Sequence, residues 1–453
     1  MTSQASSNQL AELSSALQDS GCEILPNDYF SSVETRGRNS AHVAHPGLIV
    51  RCASPKTLQL AWDMARAQEL PVCIHSTGRD WRGRSLKDNS VVLDLSAMNA
   101  IKIDVDALEV SIEGGVTTSQ LNNFLRDYDL VTVIGNEGSV GMAGFLMGGG
   151  YGPLMMRYGL GCDNLIAADI LLPNGEKVFC DDNHEPQLFW AIRGGGGNFG
   201  VLVSARLRLY APPALYSGSV VFPWKDAAAA LECYEQAMHC ASEALFGSVA
   251  MVVGPAGKPI LVVSLIWTAG LEQGIRAFED LAAVGDPINA KAGLINPTDV
   301  LALTDGKLPA GRGYEVGTGW FDRLSTSTIS TLIAAFDARS SDLSSIIIHH
   351  CHGVATAVAP NATAFGMRKP HFTALIYGSW LPDSGDGKVH SAWVNTLNAA
   401  LSTTALPGGY ANLLPDGAEE QIAHAYGENG IQLAQLKRRF DPSGVLAAIP
   451  LPK

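Results

Sequence analysis

Apolar residues in the first half of the chain alternate between short strand-like runs and helical spacings. Residues 46–51 and 71–75 are strand-like, and residues 54–68 between them follow helical spacing behind a Ser54 cap and Pro55 in the first turn. This order predicts a strand–helix–strand unit. Further predicted elements here are strands at 91–95, 108–112, 131–134, 167–172, 177–180 and 201–210 and a helix at 117–126.

The pattern changes after Pro212 and Pro213. From residue 213 to 407, strand-like runs alternate with long amphipathic helices, which predicts an open sheet covered by helices. The predicted strands are 217–222, 249–254, 259–267, 313–319, 345–352 and 372–379, and the predicted helices are 225–244, 271–283, 323–338 and 387–402. A final helix is predicted at 430–440. The chain is therefore expected to be α+β.

Composition narrows the class of protein. The chain has 453 residues, 47% hydrophobic and 17% charged, which favours two or three well-buried domains. A net charge of −13 without basic clusters argues against binding to nucleic acid or an anionic membrane surface. The sequence shows no signal peptide and no apolar run of 18 residues, so the protein is expected to be cytoplasmic, as a monomer or homodimer. The eight scattered cysteines are accordingly interpreted as reduced thiols.

Two glycine clusters indicate a ligand site. The stretch 135–165 interleaves glycines with apolar residues, so it is expected to be buried beside a flat or anionic group. A second cluster contains a formal G-x-G-x-x-G at Gly195, Gly197 and Gly200. A dinucleotide-binding Rossmann fingerprint must open a helix, but residues 201–210 alternate with period two and predict a strand. A Rossmann site is therefore excluded.

These landmarks occur in a fixed order along nearly the whole chain. They are the spaced glycines with GGG-x-G, Arg157 and Asp163-Asn164, then FWAIRGGGGNFGV at 189–201, Asn361 to Arg368, Tyr410-Ala-Asn412 and Tyr426 to Asn429. The set resembles the berberine bridge enzyme and 6-hydroxy-D-nicotine oxidase branch of the vanillyl-alcohol oxidase superfamily. The resemblance implies a PCMH-type FAD-binding domain of two α/β subdomains at 1–212, an inserted substrate domain at 213–407, and a return to the first domain at 408–453.

The same resemblance implies the cofactor contacts. Backbone N–H groups after the second strand and in the glycine stretch would hold the FAD diphosphate, which suits an acidic protein. The contacts it assigns are Ser76, Thr77, Gly78, Arg79, Asp80, Glu137, Gly138, Ser139, Gly141, Gly144, Gly148, Gly149, Val201, Asn412 and Asn429.

Two departures from the family pattern concern the attachment of the flavin. The branch commonly tethers FAD through a histidine and a cysteine, and this chain has Arg79 and Glu137 at those positions. Neither side chain can form these bonds, so the sequence predicts non-covalent FAD. It also suggests an ion pair between Arg79 and Glu137 at the ring edge.

Candidate proton-transfer residues come from two places. His350 and His352 share one face of a predicted strand, and imidazole titrates near neutral pH. The H-x-H pair lacks a third ligand at a sensible spacing, so no metal is expected. Tyr410 matches a family position beside the flavin. For all three residues, ordinary packing or hydrogen bonding is the competing interpretation; Glu315 and Asp322 are interpreted as solvated strand-end carboxylates.

The function implied is an FAD-dependent oxidoreductase that removes hydride from a small organic molecule of specialised metabolism, with O₂ as the family's acceptor. A dehydrogenase stays open. The alternative is a non-redox cyclase or pericyclase on the same fold, in which FAD is structural.

Overall fold

The computed structural model describes residues 7–31, 38–303 and 308–453. This part of the chain forms three sheets and thirteen α-helices. The strands are β1 Glu23–Leu25, β2 Leu48–Arg51, β3 Val72–His75, β4 Val91–Asp94, β5 Ile101–Asp104, β6 Glu109–Glu113, β7 Leu165–Leu171, β8 Lys177–Cys180, β9 Val201–Arg208, β10 Leu215–Pro223, β11 Leu245–Val253, β12 Pro259–Trp267, β13 Asn289–Ile295, β14 Gly313–Phe321, β15 Ser345–Cys351 and β16 His371–Trp380. The helices are α1 Ser7–Asp19, α2 Pro55–Ala67, α3 Thr118–Arg126, α4 Met142–Met147, α5 Met155–Tyr158, α6 Pro186–Ile192, α7 Ala227–His239, α8 Leu271–Ala282, α9 Thr326–Asp337, α10 Val354–Ala357, α11 Lys388–Leu401, α12 Glu419–Ala425 and α13 Asn429–Phe440.

The first sheet has the order β1-β2-β4-β3. β2, β4 and β3 run parallel, whereas β1 pairs antiparallel with β2. The predicted strand–helix–strand unit is confirmed as β2-α2-β3, with β4 inserted between the two strands. α2 begins at a capping box in which Ser54 and Thr57 each bond the other's backbone N–H. Its buried face, centred on Trp62, packs into the core of this sheet.

The second sheet, β5-β6-β9-β7-β8, is antiparallel throughout. The residues after the second glycine cluster form β9, so the reason for excluding a Rossmann site is confirmed. The strand predicted at 131–134 does not form. Val131 makes a single bridge with Tyr210, and the Thr132 hydroxyl donates to the Arg208 carbonyl at 2.8 Å, which takes the acceptor that a continued ladder would need.

The third sheet contains seven antiparallel strands in the order β13-β10-β12-β11-β15-β16-β14. α7, α8, α9 and α11 cover one face and bury a core with Phe222, Phe321 and Phe372. The predicted α+β class, with an antiparallel sheet covered by helices, is confirmed. The sequence did not predict β13, because its largely exposed residues at the sheet edge carry no alternating apolar pattern.

The C-terminal segment is fixed to the glycine-rich part of the chain. The Lys437 ammonium in α13 donates to the Asp441 carboxylate at 2.6 Å and to the Asn198 and Leu446 carbonyls at 2.8 and 2.6 Å. The Asp441 carboxylate also accepts the Val445 and Leu446 N–H groups at 2.9 Å each. Residues 445–449 are thereby held beside β9. Along the described ranges, no helix combines the length and apolar character that crossing a bilayer requires.

Candidate active site

A cavity of about 1140 Å³ lies where the three sheets meet. Its lining comes from β3 and the following loop, the glycine stretch around α4, the start of β9, the uncovered face of the seven-stranded sheet, and residues 445–449. Typical small-molecule pockets measure about 300–1,000 Å³. The cavity therefore has room for a large cofactor together with a small substrate.

One wall is built from the 76–80 loop and the glycine segment at the start of α4, which pack closely against each other. An added Cβ on Gly141 would lie 2.8 Å from Thr77 Oγ1, so this contact between the 76–80 loop and the start of α4 requires glycine. The glycine segment is anchored to α3, since the Thr118 N–H donates to Val140 O and the Ser119 N–H to Gly138 O, each at 2.8 Å. These contacts hold a backbone-lined surface open to a ligand.

The charged centre of this wall is Glu137. Its Oε2 accepts hydrogen bonds from Arg79 and, at 2.7 Å, from Arg38, and its side chain is 11% exposed. Both guanidinium groups lie within 6 Å of the Trp81 ring centre, at 5.9 Å for Arg38 and 5.8 Å for Arg79. The suggested ion pair of Arg79 with Glu137 is confirmed. Arg38 was not identified from the sequence, because 99 residues separate it from Glu137.

The opposite wall is the uncovered face of the seven-stranded sheet. Alternate residues of β15, Ser345, Ile347 and His349, line the cavity, while Ile346 and Ile348 are buried under the helices. The structure thus brings His349 into the cavity. The sequence pattern instead favours His350 and His352 as candidates.

His350 and His352 lie on the helix-covered side of β15 and do not line the cavity. The two Nδ1 atoms are 3.1 Å apart, and the His350 ring packs at 4.4 Å from the Phe372 ring centre. His352 Nε2 is 3.0 Å from the Ser242 carbonyl. Burial lowers the pKa of His350 to about 3, so its ring is neutral at pH 7. The geometry places both histidines in packing and hydrogen bonding within the sheet.

Tyr410 lies in the cavity beside a second tyrosine. Its hydroxyl oxygen accepts the Asn412 Nδ2–H at 2.8 Å and the Gly150 N–H at 3.4 Å. Its ring is 4.9 Å from that of Tyr151, whose hydroxyl donates to His371 Nε2 at 2.8 Å. Burial raises the pKa of Tyr410 to about 12, so the phenol is protonated at neutral pH.

The predicted cofactor contacts divide into two groups. Those that line the cavity are Ser76, Thr77, Gly78, Arg79, Asp80, Glu137, Gly141, Gly144, Val201 and Asn412. Those behind its surface are Gly138, Ser139, Gly148, Gly149 and Asn429. In the second group, Gly148 lets Asn412 approach, since an added Cβ would lie 2.3 Å from the Asn412 amide. Asn429 Nδ2 donates to the Pro360 and Thr363 carbonyls at 2.7 and 3.0 Å and so holds the loop before Arg368.

The residues present fit an FAD. Gly144 faces open cavity, with no atom within 4 Å of an added Cβ, and Asn136 Oδ1 is buried without a hydrogen-bond partner in the described chain. The cavity lining contains four basic side chains and three carboxylates, a charge balance that suits a bound diphosphate. The basic residues are Arg79, Arg84, Lys87 and Arg312, and the acidic residues are Asp80, Glu137 and Asp342. A bound cofactor would explain both the open space at Gly144 and the missing hydrogen-bond partner of Asn136 Oδ1.

Other candidate chemistry is not assembled here. Glu315 is paired with Arg82 at 2.6 Å and accepts the Ser391 hydroxyl at 3.2 Å, and Asp322 is exposed. No group of three or more His, Cys, Asp or Glu side chains positioned to hold a metal occurs within the described ranges.

The size and lining of the cavity fit an FAD-dependent oxidoreductase. A family model described as an FAD binding domain matches residues 46–181. The (R)-6-hydroxynicotine oxidase of Paenarthrobacter nicotinovorans is 27% identical over 451 residues, which covers 95% of this chain and 96% of the relative.

Solved structures share the fold. The 6-hydroxy-D-nicotine oxidase from Arthrobacter nicotinovorans superposes with a TM-score of 0.84 at 24% identity, covering 94% of this chain and 97% of that one. BBE-like 1 from Physcomitrella patens superposes with a TM-score of 0.87 at 18% identity, covering 97% and 99%. The match to an FAD binding domain and the similarity of nearly the whole chain to a nicotine oxidase agree with the FAD-linked oxidoreductase that its sequence motifs predicted.

Proposed function

We propose that the protein is an oxidase that acts on a small organic molecule with non-covalently bound FAD. The observation that carries this proposal is the large cavity, in which a wall that carries basic side chains faces an apolar sheet wall. The first wall suits a dinucleotide cofactor and the second suits an organic substrate. The eight cysteines are free thiols, which supports a cytoplasmic location.

When bound, FAD supplies a hydride acceptor. The protein's own residues would do the rest. The loop 76–80 and the 137–144 segment would hold the cofactor, with Val201 and Asn412 at other points of the cavity wall. Substrate would lie against β11, β12 and β15, where apolar side chains exclude water. Tyr410 keeps its proton at neutral pH, so its hydroxyl would donate a hydrogen bond to the reacting group.

The non-covalent attachment rests on Arg79 and Glu137. Both side chains line the cavity and are bonded to each other. A guanidinium and a carboxylate do not form the carbon–nitrogen or carbon–sulfur bonds through which flavins are tethered to histidine or cysteine. Their mutual hydrogen bond would instead fix the polar edge of the cofactor wall.

An anaerobic titration tests the oxidase function. The purified yellow protein is mixed without oxygen with members of a library of small alcohols, amines and phenols from specialised metabolism. Hydride removal bleaches the yellow absorbance of the oxidised flavin, and admitting air restores it with formation of hydrogen peroxide. Turnover of a library member without bleaching under anaerobic conditions would contradict the proposal.

A further inference from the structure

His349 is a buried base with no partner of its own. Its side chain lines the cavity and is 5% exposed, yet neither ring nitrogen has a hydrogen-bond partner among the described residues. Its neighbours are aromatic, with ring centres 6.4 Å away for both Tyr151 and Phe246. Its ring nitrogens are therefore accessible from the cavity rather than sealed in the core. A ligand in the cavity that donates a hydrogen bond can reach them.

A second unpartnered group lies on the same face of β15. Ser345 is 6% exposed, lines the cavity, and its hydroxyl has no partner among the described residues. Between the two lies Ile347, and directly across the ladder from His349 is Ser248 on β11. The wall is therefore apolar with a few uncharged polar points.

The charge of the cavity opposes a cationic substrate. Each of its three carboxylates is already paired with arginine: Asp80 with Arg84, Glu137 with Arg38 and Arg79, and Asp342 with Arg339. None of them is left to pair with an ammonium group. An aliphatic amine with a pKa near 10 is neutral in only on the order of one molecule in a thousand at pH 7. An alcohol enters without this penalty.

We propose that the substrate is an uncharged, flat and largely apolar alcohol, and that His349 accepts its hydroxyl proton as the alcohol is oxidised to a carbonyl. The inference rests on the proposed hydride transfer to FAD. The O–H bond breaks as its proton passes to an imidazole nitrogen, and the adjacent C–H bond breaks as hydride and its two electrons pass to FAD. The C=O bond forms between the same two atoms.

The protonation states favour His349 over Tyr410 as the acceptor. Burial, aided by the neighbouring His371, lowers the pKa of His349 to about 4, so the imidazole is neutral with a free lone pair at pH 7. Tyr410, with its pKa raised by burial to about 12, is phenolate in only on the order of one molecule in 10⁵ at pH 7. A weak base suffices, because the hydroxyl becomes strongly acidic as hydride leaves.

The size of the wall sets the shape of the substrate. The lining residues come from four adjacent strands, β12, β11, β15 and β16. Neighbouring strands are about 4.8 Å apart, so the wall is roughly 14 Å wide and accepts two or three fused rings lying flat. Tricyclic fluorene derivatives match this shape and can carry either a hydroxyl or an amine at one carbon.

Binding is tested first, with a ligand that cannot be oxidised. 9-Methyl-9-fluorenol has a hydroxyl but no hydride on that carbon, and 9-methylfluorene lacks the hydroxyl. We expect the FAD-loaded protein to bind 9-methyl-9-fluorenol about 10-fold more tightly than 9-methylfluorene, because one hydrogen bond to a buried group contributes about this much to binding. The preference should disappear in His349→Phe and persist in the control Ile348→Val, because Ile348 is buried on the helix-covered face of β15 and does not line the cavity. Equal binding of the two ligands, or failure of both to bind, overturns the proposal.

Flavin reduction is tested second, with 9-fluorenol and 9-aminofluorene under anaerobic conditions. We expect the alcohol to bleach the flavin and the amine to do so at least about 100-fold more slowly, and His349→Gln to slow the alcohol by about 10²–10⁴-fold. Faster bleaching by the amine overturns the inference and leaves the proposed oxidase function standing. A His349-dependent preference for the hydroxyl ligand without bleaching by either compound supports the alcohol site and overturns the proposed function instead.

Discussion

Substitution of Gly144 by alanine should change the stability of the protein and its affinity for FAD in opposite directions. Gly144 lies inside α4, is exposed to the cavity, and an added Cβ meets no atom within 4 Å. Alanine favours a helix over glycine by about 0.5–1 kcal/mol, so Gly144→Ala should stabilise the flavin-free protein by up to that amount. If FAD lies against this wall, the new methyl group should intrude on it. Overpacking of this kind costs about 1–3 kcal/mol, which raises the Kd for FAD about 5- to 150-fold.

The assay measures both quantities on the same preparation. Thermal unfolding of the flavin-free protein reports stability, and titration with FAD, followed by quenching of flavin fluorescence, reports the Kd. Gly293→Ala is the matched control, because Gly293 also has open space around an added Cβ but lies in edge strand β13 outside the cavity. An unchanged Kd in Gly144→Ala would refute the placement of FAD on this wall.

Three further predictions concern charged and titrating groups. Glu137→Gln removes the carboxylate shared by two arginines and should destabilise the protein by about 3–5 kcal/mol, measured by denaturant unfolding; an unchanged midpoint would contradict it. Burial lowers the pKa values of His349 and His371 to about 4, so both side chains are neutral in the folded protein at pH 7. Their contribution to the free energy of unfolding is fully present above pH 6.5 and is lost as the pH falls towards 4, by about 1.4 kcal/mol per pH unit for each histidine. A melting temperature that is constant from pH 7 to 4.5 would refute this. Tyr410→Phe removes one hydrogen bond to the reacting group and should lower kcat/KM about 10-fold, with an unchanged value arguing against the contact.

The cofactor wall was largely predictable because its determinants are local. Glycine at 141 permits the close contact with Thr77, glycine at 144 leaves open space in the cavity, and the alternation after Gly200 shows that a strand rather than a helix follows. The substitutions at Arg79 and Glu137 could also be identified, since each occupies a fixed place within a motif. The third member of that cluster, Arg38, comes from a distant segment and has no motif of its own.

The substrate wall was less predictable for a different reason. The period of two correctly placed His350 and His352 together on one face of β15 and His349 on the other. The period does not show which face of β15 lines the cavity, because neither face is exposed to solvent: one is covered by helices and the other lines the cavity. Ile346 and Ile348 on the helix-covered face are as apolar as Ile347 on the cavity face, so hydrophobicity does not distinguish the two faces.

The release of flavin on denaturation tests the central claim most directly. The purified protein is precipitated with acid, and FAD is measured in the supernatant and in the washed pellet. Because Arg79 and Glu137 stand where tethering residues would be, the account predicts about one FAD per chain in the supernatant and a colourless pellet. Yellow colour that stays with the pellet, or protein purified without any flavin and unable to bind it, would contradict the account.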